Sequence, residues 1–192
     1  MLTVWRRGRK VAARGFTLIE LLVVLILLSV MLTLAAPSFL TFQRNAELTS
    51  AANSFVAALS AARAEAMKRQ LRTFVVPVVP GTNWASGWQV FVDNDSDAVS
   101  GSISAGANDT VITEQAALPA SVGMTASSFP SDGTTAYVMF NGSGTMTDIG
   151  GTFADRSLEL TNGPESRRII ANPAGRLRVC KPGETGCEEA QL

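Results

Sequence analysis

Glu20 is the residue that most demands a chemical explanation. It sits near the start of residues 16–36, a run broken only by Thr17, Glu20, Ser29 and Thr33 and otherwise apolar or, at Pro37 just beyond it, helix-bending. An ionised carboxylate is costly in lipid and needs a partner or a task. Immediately before the run stands Gly15, and before that a leader with Arg6, Arg7, Arg9, Lys10 and Arg14 and no acid. Charge followed by a long apolar stretch is the pattern of membrane export. An ordinary secretory signal would be cut after the run, near Ala35-Ala36-Pro37-Ser38; Glu20 within the run and Gly15 at its edge argue against that reading.

Four other groups of residues carry potential chemistry. Asp93-Asn94-Asp95-Ser96-Asp97 alternates carboxylates that could face one ion, but an EF-hand loop wants Gly at its sixth place and an acid at its twelfth. Those places hold Ala98 and Ser104, so the run reads as a solvated turn and no metal ligands are expected. Gly142-Ser143-Gly144 is too short for a phosphate loop. Residues 167–181 hold Arg167, Arg168, Arg176, Arg178 and Lys181 and no acid. Arg176 and Arg178, two apart, would share a face of a strand, and the turn residues Asn172, Pro173 and Gly175 would bring Arg168 near them. Such a patch could contact the phosphates of double-stranded DNA in a salt-sensitive, sequence-independent way; the alternative is a charged edge strand that resists aggregation. The acids Glu184, Glu188 and Glu189 could blunt it. Cys180 and Cys187 are separated by a stretch containing Pro182, Gly183 and Gly186. In an oxidising compartment a disulfide is the main reading, with two unpaired thiols as the alternative; metal ligation would need further ligands.

Composition narrows the function classes. The 192-residue chain has 16 basic and 16 acidic side chains. The leader takes five of the basic ones, so the remainder carries 11 against 16, a net charge of −5. A mildly acidic body has no overall pull on nucleic acid, and any such contact must be local. There is no His, and no Ser or Cys has an identifiable base beside it. The chain therefore reads as neither an enzyme nor a cofactor carrier.

These residues must be positioned by a helix and a sheet. Residues 16–36 as a helix would rise about 31 Å, enough to cross a bilayer core, with the basic leader cytoplasmic and the rest outside. Pro37 can kink the helix without ending it. Leu48, Ala52, Phe55, Leu59, Ala62 and Ala66 then recur at intervals of three and four, an amphipathic stripe. One helix over about residues 17–69 is expected, with Arg63 and Glu65 on its solvated side. Short β-type runs follow at 72–79, 87–92, 110–113, 136–140, 157–161, 168–171 and 177–180, separated by Gly, Asn, Ser and Asp clusters. They predict one antiparallel, meander-like sheet packed on the helix: an α+β fold. The expected organisation is a leader at 1–15, a membrane-spanning or filament-core helix at 16–39, and a globular domain at 40–192.

Gly15-Phe16-Thr17-Leu18-Ile19-Glu20 resembles the type III signal of type IV pilins and pseudopilins. Gly87-Trp88-Gln89-Val90-Phe91-Val92-Asp93, Tyr137-Val138-Met139-Phe140-Asn141-Gly142-Ser143-Gly144, and the closing stretch from Arg168 to Cys180 resemble the GspH/FimT group of minor pseudopilins. The resemblance implies a type IV pilin-like fold, cleavage by a prepilin peptidase between Gly15 and Phe16, and N-methylation of Phe16. Glu20 would then be able to neutralise the new amino terminus of an adjoining subunit. The implied partners are other major and minor pilins or pseudopilins, an inner-membrane assembly platform and inner-membrane lipid. The implied setting is the bacterial inner membrane, single-pass, with the C-terminal domain in the periplasm. The implied role is in a type II secretion pseudopilus or a type IV pilus. Gly175-Arg176-Leu177-Arg178 matches a Gly-Arg-x-Arg element that takes part in DNA binding in competence-linked relatives. It makes Arg168, Arg176, Arg178 and Lys181 candidate contacts for DNA uptake.

Overall fold

A computed structural model describes residues 15–81, 83–98, 103–126, 129–152 and 156–187, with the side chains of 34–36 excepted. The basic leader, Glu188 and Glu189 lie outside the described residues. The chain divides into two compact units, Met1–Leu40 and Thr41–Leu192.

Helix α1 runs over Leu18–Arg69, 52 residues with Pro37 inside it. Its start is chemically specified. The Thr17 hydroxyl accepts the Glu20 amide at 3.2 Å, and the Thr17 carbonyl accepts the Leu21 amide at 3.2 Å. A Thr cap with Glu three residues on has the spacing of a capping box. The end is equally clear: Gln70 takes a left-handed φ of 59°, and Lys68 and Arg69 in the last turn oppose the negative end of the helix dipole. In the first unit the apolar side chains, from Leu18 through Leu25 to Leu32, are exposed. No single helix among the described residues is long and apolar enough to cross a membrane. The pair Leu18–Thr33 and Pro37–Arg69, with a break between, passes that test together on length and composition.

In the second unit the expected stripe is the core. Leu48, Ala52, Phe55, Leu59, Ala62 and Ala66 are buried, joined by Ala51 and Ala58. The alanines let the sheets approach closely; Phe55 fills the centre, edge-on to Trp84 and Trp88 at 5.3 and 5.1 Å. Such aromatic contacts combine large buried area with fixed geometry.

The β-structure differs from the single meander expected. Among the described residues, nine strands form two antiparallel sheets. They are β1 (Thr73–Pro77), β2 (Trp88–Val92), β3 (Thr110–Gln115), β4 (Gly123–Ala126), β5 (Val138–Phe140), β6 (Met146–Thr147), β7 (Arg156–Asn162), β8 (Glu165–Ala171) and β9 (Leu177–Cys180). The first sheet has order β3-β2-β1-β5-β6 and the second β4-β7-β8-β9. The reason is pairing at long range: β4 leaves its sequence neighbour β3 and aligns with β7, Met124 opposite Leu160. Both sheets turn apolar residues onto the same helix: Val75, Val90 and Phe140 from one, Met124, Leu158, Leu160, Ile169 and Ala171 from the other. The first sheet has a second apolar layer on its far side, built on Phe74, Phe91, Tyr137 and Met139.

Glu47 ties the layers together. Its carboxylate accepts from the Ser121 hydroxyl at 2.9 Å, the Gln43 amide at 3.1 Å and the Asn162 amide at 2.7 Å. These donors, Ser121 first, hold its pKa below the usual range for glutamate.

Candidate functional site

Three places carry polar chemistry. The first is the amino-terminal junction. Gly15, Phe16 and Thr17 precede the helix, exposed, and Glu20 falls in the first turn. Phe16 is 79% exposed and Leu18 83%, so the junction presents apolar surface. Glu20 is thus both the third helical residue of the cap and the lone acid of the segment's first turn.

The second place is the basic C-terminal unit, where the fold sorts the candidate cations. Register pairs Arg168 with Cys180 and Ile170 with Arg178, so these four share one face of the sheet. Ile169 and Ala171 point the other way, into the core. Arg176 lies ahead of β9, in the turn, and does not share a strand face with Arg178 as expected from their spacing. Arg168 is structural. It donates to Glu159 at 3.1 Å and to the Cys187 carbonyl at 3.2 Å. Lys181 faces Glu165 at 3.5 Å. Arg167 donates to the Asn45 side chain at 2.8 Å, binding β8 to the helix. Among the described residues, Arg176 and Arg178 are exposed and make no ion pair. Cys180 and Cys187 form a disulfide and pack with Ile170 in a small apolar cluster on this outer face.

Gly175 has a physical task of its own. Its φ is +74°, and a Cβ there would sit 2.9 Å from the Arg63 side chain, while Arg63 donates to the Gly175 carbonyl at 3.0 Å. Arg63 is therefore not the solvated helix residue expected from the sequence; it clamps the β8–β9 turn to α1. The sequence held no signal for this, because the two residues are 112 positions apart. Glu65 is half-buried, paired with Lys68 at 3.1 Å and Arg69 at 2.8 Å.

The third place is acidic and was only partly visible in the sequence. Asp93, Asp95 and Asp97 follow β2, and Asp109 precedes β3. Strand pairing of Val92 with Thr110 brings Asp109 beside the others. One carboxylate oxygen from each of the four lies within 4.8 Å of those of the rest. Asp93 is fully buried and held by Arg72 at 2.6 Å; Asp109 accepts the Asn94 and Gly106 amides at 3.0 and 2.7 Å, and Asp95 the Asn108 amide at 2.8 Å. Desolvation, then the negative charges of Asp95, Asp109 and Asp93, push the Asp97 pKa up, while the Asn108 hydrogen bond lowers that of Asp95.

With this geometry in place, the comparisons decide the family. Residues 51–175 match the profile described as type II transport protein GspH, and residues 11–36 match the prokaryotic N-terminal methylation motif. The chain belongs to the GspH family. The GspH match covers the stripe from Ala52 onward, the aromatic core and most of both sheets, and stops one residue before Arg176. In fold the chain is similar to the crystal structure of the type IV minor pilin FimU of Pseudomonas aeruginosa, with a TM-score of 0.53 and 20% identity over 77% of this chain and 99% of that one. The minor pseudopilin EpsH from the type 2 secretion system of Vibrio cholerae gives 0.49 and 21%, over 72% and 99%. No curated protein sequence matches. GspH-family chains are type II transport subunits of the pilin-like kind that carries the N-terminal methylation motif. The methylation motif marks a terminus of the kind processed by prepilin peptidase and anchored in a membrane.

Proposed function

We propose that this GspH-family subunit is cut between Gly15 and Phe16, methylated on the Phe16 amine, and drawn from the inner membrane into a pseudopilus or pilus with its head in the periplasm. The observation that carries this reading is the junction itself. A single acid stands in the first turn of a helix whose described apolar side chains, from Leu18 to Leu32, are exposed. Such a surface is covered by lipid or by other helices of the same kind. In either setting the amine of Phe16 and the carboxylate of Glu20 on an adjoining subunit compensate each other, fixing axial register. The units 16–39 and 40–192 then act separately: the first polymerises, the second presents specific surface.

Co-expression of the full chain with a prepilin peptidase tests this. The expected mature mass begins at a methylated Phe16; a product that keeps Met1, or one trimmed beyond Ala36, overturns the reading. Glu20→Ala should be processed normally yet fail to cross-link with other pilin subunits.

A second reading, DNA contact by the C-terminal unit, is supported by one observation: Arg176 and Arg178 are exposed with no acid paired to them among the described residues. It narrows the four candidates to two, since Arg168 and Lys181 are engaged within the protein. Retardation of double-stranded DNA at low salt should disappear in R176A/R178A and persist in K181A. Equal retardation by the double variant refutes it.

A further inference from the structure

The loop joining β2 to β3 carries more negative charge than its own folding explains. Asp93, Asp95, Asp97 and Asp109 converge, and Arg72 is the cation that the structure pairs with them. Asp93 is the informative member. Its side chain is 0% exposed. Arg72 engages Oδ2, and Oδ1 has neither solvent nor, among the described residues, a hydrogen-bond donor. A buried acceptor left without a donor is destabilising and demands an explanation. This carboxylate lies within 4.8 Å of the other three, so a cation placed among them would meet it too.

We propose that Asp93, Asp95, Asp97 and Asp109 bind one calcium ion. The donor set is all carboxylate oxygen. The chain has no His and both Cys are in the disulfide, which removes the nitrogen and sulfur ligands favoured by zinc or copper. Among hard cations, calcium accepts six to eight oxygens at about 2.4 Å in irregular geometry, whereas magnesium demands an octahedron at about 2.1 Å and keeps much of its water. Oxygens up to 4.8 Å apart fit opposite sides of the larger ion. The exposed Asp95 and Asp97 leave room for water to complete the shell. The site differs from an EF-hand because its fourth carboxylate comes through strand pairing, from the far end of the loop, rather than from a twelfth position.

Calcium here fastens the two ends of the β2–β3 connection to each other and neutralises their mutual repulsion. The test uses the full chain in detergent micelles, freed of metal with a chelator. Equilibrium dialysis against radioactive calcium over about 0.01–10 mM, a range spanning extracellular modules, should give one ion per chain. Calcium should also raise the melting temperature, and equal magnesium should do so less. D95N/D97N, altered at two exposed positions, should lower affinity about tenfold or more and lose the thermal shift; D148N should retain both. D97N alone serves if the double variant does not fold, with a smaller loss in the same direction. Absence of bound calcium, equal stabilisation by magnesium, or unchanged binding in D95N/D97N or, in its place, D97N overturns the proposal.

Discussion

Replacing Asp132 with Asn should produce a loss of stability that depends on pH in one direction only. Asp132 sits in the turn before β5. Its Oδ1 accepts the Thr134 amide at 2.7 Å, the Thr134 hydroxyl at 2.6 Å and the Thr135 amide at 2.6 Å. Its Oδ2 accepts the Ile103 amide at 3.3 Å, holding the segment after β2 against the far face of the first sheet. Desolvation by itself would raise this carboxyl's pKa. The donors outweigh it, the Thr134 hydroxyl leading, and bring the value from 3.8 down to about 2. That lowering corresponds to about 2.4 kcal/mol; exposure screens the charge and reduces this to about 1–2 kcal/mol. Because the folded pKa is depressed, the unfolded chain binds the proton more tightly. The stabilisation is complete above the unfolded value of 3.8 and is lost as pH falls through about 2. Asn keeps the Oδ1 acceptor, loses the charge, and replaces the Oδ2 acceptor of the Ile103 amide with a donor, a smaller loss that does not vary with pH. The charge-dependent part should make D132N about 1–2 kcal/mol less stable than the parent at pH 7, with the gap narrowing by that amount toward pH 2. Urea unfolding followed by the fluorescence of the buried Trp84 and Trp88 measures both. A gap of the same size at both pH values, or none at pH 7, refutes the charge-assisted account.

The aromatic centre, the disulfide and one glycine give sharper losses. Phe55→Ala removes the ring that Trp84 and Trp88 abut and should cost about 3–5 kcal/mol, read as a drop in the urea midpoint. C180S/C187S opens a loop closed across a separation of 7 residues; loop-closure entropy predicts about 2.5 kcal/mol, and limited proteolysis should then cut residues 181–186 first. Gly87→Ala should be strongly damaging, because this glycine is buried, its φ is +97° and the added methyl would overlap the Gln115 carbonyl. Soluble yield and near-ultraviolet dichroism should both fall, whereas Gly183→Ala, where a Cβ meets nothing, should cost about 1 kcal/mol from its positive φ alone.

Much of the fold was legible because it is written at short range. A helix repeats every 3.6 residues, so Leu48, Phe55, Leu59 and Ala62 name their common face before any contact is known. The seven-residue interval of the cysteines is equally local. The strands β4 and β6 were missed for the converse reason. Gly123–Ala126 and Met146–Thr147 are too short for alternation to rise above chance, and they become strands only because β7 and β5 present hydrogen-bonding edges to them. The division into two sheets was out of reach on the same ground, since pairing partners are chosen by the shared helix and not by adjacency in the chain.

The sequence by itself determined that a carboxylate stands at the head of an apolar helix, and that a striped second half meets β-structure; polarity and period are properties of neighbours along the chain. Only the tertiary structure decided which charges are engaged. It joined Arg63 to Gly175 and Arg168 to Glu159, left Arg176 and Arg178 exposed, and carried Asp109 across to Asp93, Asp95 and Asp97. Charges act through distance in space, and strand register fixes that distance where sequence separation does not.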